Sequence, residues 1–187
     1  MLNDQFLEEV ATKRNQGMQT VMYVIATVIM VLSMFMAAIY FNLVVRLIAA
    51  GGFTTDLIIP LVITLVSAGV AVLLFLKRDT IKTEYEYTFT NGILDFAQVF
   101  NNKKRKALGT MNLKNIEACG KVNSGSFNRY ISMPGIKRIN WFVNREADLF
   151  YLYFTKDNQK KIIIIEPSEE MEKLISRAVQ PGVYQKN

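Results

Sequence analysis

Residues 21–45 read VMYVIATVIMVLSMFMAAIYFNLVV, twenty-five positions without a charge, and residues 57–76 read LIIPLVITLVSAGVAVLLFL, twenty more. At 1.5 Å of rise per residue, the first run makes about 37 Å of helix and the second about 30 Å. A hydrocarbon core is about 30 Å thick, so each run is long enough to cross it, the first with some tilt. A cleaved export signal has a shorter apolar core followed by a small-residue cleavage site. Here a second apolar run follows almost at once, and the pair reads as an anchor.

Between the runs lies 46–56, RLIAAGGFTTD, in which Gly51-Gly52 supplies a turn. So short a loop allows only a tight helical hairpin. Pro60 falls in the first turn of the second helix, where a missing N–H costs nothing. Thr64 with Ala68, and Ser67 with Ala71, place small residues at four-residue spacing. That spacing lets a neighbouring helix approach closely, either the first helix or a second copy of the chain.

Basic residues near the helix ends set the expected orientation. Lys13 and Arg14 precede the first run, Lys77, Arg78 and Lys82 follow the second, and the loop holds Arg46 balanced by Asp56. The positive-inside rule then puts both termini in the cytoplasm. Residues 1–20, with Phe6, Leu7 and Val10 in a short helix-like stripe, read as a cytoplasmic N-terminal segment.

Outside the runs the composition changes. From Lys77 onward there are 19 Lys and Arg against 12 Asp and Glu, a net of +7 in a chain whose total is +6. The chain has no histidine and a single cysteine, Cys119. Intramolecular disulfides, Cys/His metal clusters and histidine-based acid/base chemistry are thereby excluded. Cys119 reads as a small buried apolar side chain rather than a reactive thiol.

Residues 77–187 carry strand signals. Ile81, Thr83, Tyr85, Tyr87 and Phe89 alternate with Lys82, Glu84, Glu86 and Thr88, then Asn91-Gly92 precedes an apolar-rich run at 93–100. Period-2 alternation followed by Asn-Gly predicts a β-hairpin with a type I′ turn. Further strands are expected after Asn101-Asn102, near 112–118, at 139–143, at 149–155 and at 160–166, with 120–138 an irregular excursion rich in turn residues. Ile162 to Ile165 is a β-branched succession suited to a strand covered on both faces. Ser168, Glu169 and Glu170 suit a helix N-terminus, and Met171, Leu174, Ile175 and Ala178 recur at helical spacing. This predicts a meander or barrel of six or seven antiparallel strands, with a C-terminal helix near 168–179 covering the second face of the isoleucine strand.

The succession YEYTFTNGILDFAQVFNNKKRKAL (85–108), NLKNIEACGKVNSGSF (112–127) and YLYFTKDNQKKIIIIEPSEEMEKLI (151–175) resembles a bacterial family with two membrane helices and a pleckstrin-homology-like domain. The likeness covers about residues 80–180, and the two preceding helices agree in position. It implies a fold and a membrane setting, and it carries over no catalytic residue. Folds of this kind host phosphoinositide, peptide and protein binding elsewhere, and fold alone assigns none of them.

Nucleotide-binding motifs are absent: Gly120-Lys121 lacks the glycine spacing of a Walker loop, and no G-x-G-x-x-G occurs. Lys121 with Ser124 reads as a solvated turn rather than a nucleophile pair, and Glu146 with Asp148 would need burial to act as acid and base. No catalytic, cofactor-binding or metal residue is expected. One charged run remains, Lys103, Lys104, Arg105 and Lys106. It is either the wet end of a hairpin, guarding an edge against strand pairing, or a contact for anionic lipid headgroups or an acidic partner, joined by Lys77, Arg78 and Lys82. No nucleic-acid motif accompanies it.

These readings lead us to expect a membrane-anchored, noncatalytic binding or scaffold module that presents a basic β-domain to a protein or anionic-lipid partner. The alternative is an accessory subunit of a transport or envelope-assembly complex acting through its helices.

Overall fold

The computed structural model describes residues 5–185. Two compact units share the chain: Asn15–Lys82, and the sequence on either side of it.

The Asn15–Lys82 unit is a helical hairpin. Helix α1 spans Gln16–Gly51 and α2 spans Ile58–Lys77. Asn15 caps α1 by accepting from the Met18 N–H at 3.0 Å, and Gly52, at φ 73°, ends it while donating back to Ile48 O at 2.9 Å. The first helix therefore runs through Arg46 to Gly51, well beyond the expected limit at residue 45, and the connecting loop is correspondingly shorter. Arg46, Leu47, Ala49 and Ala50 are good helix formers, so nothing stops the helix until the glycine pair.

Both helices are long and apolar enough to cross a membrane. A soluble helix hides an apolar stripe. Here Phe35, Leu65 and Phe75 are exposed at 65%, 64% and 63%, and apolar side chains face outward all round. Polar side chains turn back onto their own helix, with the Thr27 hydroxyl donating to Tyr23 O at 2.8 Å and Thr64 to Pro60 O at 2.8 Å. What is covered is a narrow seam: Tyr23, Ala26, Met30, Ser33, Ala37, Tyr40 and Val44 on α1, and Pro60, Thr64, Ser67, Ala71 and Leu74 on α2. Steps of three and four alternate along both, which is the 3.5-residue period of coiled-coil packing. The small residues Thr64, Ser67 and Ala71 lie on this seam, and Ala68 is half-buried next to it.

The second unit begins before the hairpin. Strand β1, Phe6–Ala11, pairs antiparallel with β2, Thr83–Thr90, in a register from Phe6↔Thr90 to Ala11↔Tyr85. The helix-like reading of residues 1–20 is corrected here: six of those residues are a strand, and Phe6, Glu8 and Val10 share one face of it. Residues 1–4 of that segment lie outside the described residues. A short stripe fits both periods, and pairing with a distant strand decided between them. Arg78–Lys82 forms a 3₁₀ turn, so β2 starts at Thr83 rather than Ile81.

Strands β3, Ile93–Phe100, and β4, Lys104–Asn112, complete an antiparallel sheet in the order β1-β2-β3-β4. Asn91 and Gly92 hold φ of 49° and 86°, the expected type I′ turn. In β4, Gly109 faces Phe96 and Ala107 faces Ala97, leaving Leu108 as a bulge.

The second sheet has the order β6-β8-β7-β5-β9, built from β5 (Ala118–Lys121), β6 (Lys137–Trp141), β7 (Phe150–Lys156), β8 (Gln159–Ile165) and β9 (Tyr184–Gln185). It is mixed: β6 runs parallel to β8 and β9 parallel to β5. The simple meander is thus replaced by two sheets with crossover connections, and nine strands stand among the described residues where six or seven were expected.

The sheets pack face to face. Tyr87, Phe89, Leu94 and Phe96 of the first meet Phe150, Leu152, Ile163 and Ile165 of the second. Helix α4, Glu169–Ala178, is capped by Ser168 and inserts Met171 and Ile175, both fully buried, into this same core. The opposite face of β8, Ile162 and Ile164, is covered by α3, Gly125–Ile131, through Phe127, Tyr130 and Ile131. The expected cover of that second face was the C-terminal helix. The segment read as irregular supplies it instead, because Ser124 caps a short helix whose apolar side chains meet Tyr151 and Tyr153.

Candidate functional site

The cations singled out in the sequence do not form one cluster in either unit. Within the hairpin unit, the Arg78 guanidinium lies 5.8 Å from the centroids of both Tyr23 and Phe75, and the Lys82 ammonium lies 5.3 Å from that of Tyr23. These are cation–π contacts that hold the head groups against rings. In the β unit, Lys103, Lys104, Arg105 and Lys106 turn out at the β3–β4 connection and remain exposed. Arg105 nevertheless reaches across β3 to Glu86, whose side chain is only 10% exposed, and donates to its carboxylate. A buried carboxylate needs such a partner. The run therefore offers Lys103, Lys104 and Lys106 to solvent, with Glu84 and Glu86 beside Lys103 and Lys104.

The other chemistry candidates have structural partners. Ser124 caps α3, and Lys121 lies 3.8 Å from Glu172. Glu146 and Asp148 are exposed. Cys119 sits fully buried in the core, and burial pushes its thiol up to about 12.

A carboxylate network that sequence reasoning missed lies where β1 leaves the sheet. Glu166 accepts from the backbone N–H groups of Val143 at 3.2 Å and Asn144 at 2.9 Å, and from the Asn144 amide at 2.6 Å. That same amide nitrogen donates to Thr12 O at 2.8 Å, while Asn144 Oδ1 accepts from the Arg14 N–H at 3.0 Å. Glu9 takes the Ser168 N–H with both oxygens, at 3.0 and 3.2 Å. Desolvation raises the Glu9 carboxyl despite those bonds. Glu9 and Glu166 both hold backbone N–H groups, so the network clamps residues 9–14 to the segments that follow β6 and β8. Glu and Asn at unrelated positions carry no spacing signal, which is why the sequence did not reveal it.

The β unit also has an open seam. β4 is the last strand of the first sheet and β6 the first strand of the second, and they do not pair with each other. Between them runs a groove of about 370 Å³ floored by Phe96, Leu108, Ile139, Trp141, Phe154 and Ile163. Phe96 and Trp141 pack with ring centroids 4.8 Å apart, and the Tyr87 hydroxyl donates to Trp141 O. Lys156 and Lys161 stand at the groove, whose lining contains no carboxylate among the described residues.

Two packed sheets plugged by a C-terminal helix, with an open seam, are the arrangement of a pleckstrin-homology-like domain, and here a helical hairpin is inserted after the first strand. A family model described as a bacterial PH-like domain (DUF6106) matches residues 3–185, and the chain belongs to that family. The match takes in the hairpin as well as the strands on either side of it. Comparison with curated proteins and with solved structures gives no match.

Proposed function

We propose that this chain is a membrane-anchored, noncatalytic binding module whose helical hairpin sets its location and whose β-domain engages a partner on the cytoplasmic side. The observation that carries the reading is the β1–β2 pairing. The chain leaves that sheet at Ala11, passes through two apolar helices and returns to the same sheet at Thr83. A sheet cannot straddle a bilayer, so a hairpin inserted there must begin and end on one side of it. The basic flanks Lys13, Arg14, Lys77, Arg78 and Lys82 support the cytoplasm as that side by the positive-inside rule.

The noncatalytic part of the reading rests on how the reactive groups are used. The carboxylates of the clamp hold backbone, Ser124 is a helix cap, and the Cys119 thiol is buried. For contact with anionic headgroups, Lys103, Lys104 and Lys106 are the available cations, each contributing on the order of 1 kcal/mol near an anionic leaflet. Arg105 is subtracted from that set by Glu86.

The test is accessibility labelling in whole cells. In a Cys119→Ser background, Thr54→Cys should react with an impermeant thiol reagent and Asn158→Cys should not. Labelling at Asn158→Cys overturns the orientation, and protection of both sites together with extraction of the chain by carbonate overturns the anchored reading.

A further inference from the structure

We infer that the groove between β4 and β6 is a docking site for an extended peptide segment of a partner protein, one that carries carboxylates among alternating apolar side chains. The inference deepens the binding-module reading and rests on it. One wall is a sheet edge: among the described residues, β4 has β3 on one side and no strand on the other, while the opposite side of the groove is the face of β6, β8 and β7 that carries Ile139, Trp141, Ile163 and Phe154. Edge strands present rows of N–H and C=O groups that another strand can complete. The Leu108 bulge bends β4 beside the groove, and a Cβ built on Gly109 would meet nothing within 4 Å, so a second backbone has room to approach there.

The floor is apolar and already formed, since Phe96 and Trp141 hold each other and Tyr87 pins the Trp141 carbonyl. Alternate side chains of an added strand would face this floor. Charge selects the partner. Lys156 and Lys161 line the groove, no aspartate or glutamate among the described residues does, and the β6–β8 register puts Lys137 beside Lys161 on the same face. Cations over an apolar floor favour a segment with acidic residues, and the unpaired edge of β4 beside that floor favours peptide backbone over a lipid headgroup.

Trp141 is the only tryptophan in the chain and reports on the groove directly. Full-length protein in phosphatidylcholine nanodiscs is titrated with a pool of tryptophan-free decapeptides in which glutamate alternates with valine, isoleucine or phenylalanine. A saturable change in Trp141 emission is expected, weakened about tenfold or more in Lys156→Glu/Lys161→Glu. The milder pair Lys156→Gln/Lys161→Gln should fall between, with thermal melting of both variants monitored so that lost folding is not read as lost binding. The same pool N-methylated at alternate amides cannot pair with an edge strand and should not bind. No saturable response from the pool, an equal response from its N-methylated form, or a response to dodecyl phosphate alone overturns the proposal. Because cell labelling tests the anchor separately, a failed titration with the expected labelling removes the peptide site and leaves the membrane reading standing.

Discussion

Replacing Met171 and Ile175 by alanine together tests whether α4 is part of the core or a peripheral strap. Both side chains are fully buried and share a cluster with Leu152, Ile163 and Ile165. Each truncation removes the transfer free energy of several methylenes and leaves a cavity, at a cost of about 2–5 kcal/mol per site. The two residues are one helical turn apart, so their cavities can merge and the costs need not add. A double loss of about 4–8 kcal/mol is expected. It is to be compared with a total stability of about 5–15 kcal/mol for a domain. The double variant should therefore unfold far earlier in urea than the parent, or fail to fold at 37 °C. Lys173→Ala on the exposed face of the same helix should change stability by less than about 0.5 kcal/mol. Urea unfolding of the full chain in nanodiscs is followed through Trp141, which lies in the β unit, so the hairpin does not contribute to the signal. A double variant whose midpoint stays with that of Lys173→Ala would show that α4 does not complete the core.

Two further outcomes follow from particular contacts. Phe127→Ala, at a side chain 7% exposed on α3, should cost about 3 kcal/mol or more in the same unfolding assay; a cost below about 1 kcal/mol would mean that the Ile162 and Ile164 face is not covered by α3. Glu9 gives a pH dependence: its carboxyl is raised above the ordinary 4.5 by desolvation, so the folded state binds its proton more tightly than the unfolded one does. Its contribution is present in full below about pH 4.5 and is lost as pH rises through the raised value. Glu9→Gln should accordingly flatten the stability profile from pH 4.5 upward, and an unchanged slope refutes the assignment.

The hairpin was legible because its signal is local and large: a run of uncharged residues long enough to span admits few alternatives, and glycine and asparagine mark its ends. The Asn91-Gly92 turn was legible for the same reason, since positive φ at two adjacent positions restricts the residue types that can occupy them. The buried character of Ile162 to Ile165 could also be read, because β-branched residues in succession leave no face for water.

Which segment covers which face could not be read locally. Residues 6–11 are too short for their apolar spacing to distinguish helix from strand, and they become β1 only because β2, more than seventy residues later, offers them an edge. The helix α3 emerges from a stretch whose turn residues dominate its composition, while β8 waits uncovered beside it. The groove exists because β4 ends its sheet unpaired beside a face of the second sheet, a relation between two sheets. Arg105 left the unpaired basic set for an equally nonlocal reason: Glu86 is buried two strands away and needs a counter-charge. Apolar length and turn chemistry are properties of neighbouring residues and can be read from sequence, whereas edges, covers and ion pairs depend on distances between residues that only folding brings together.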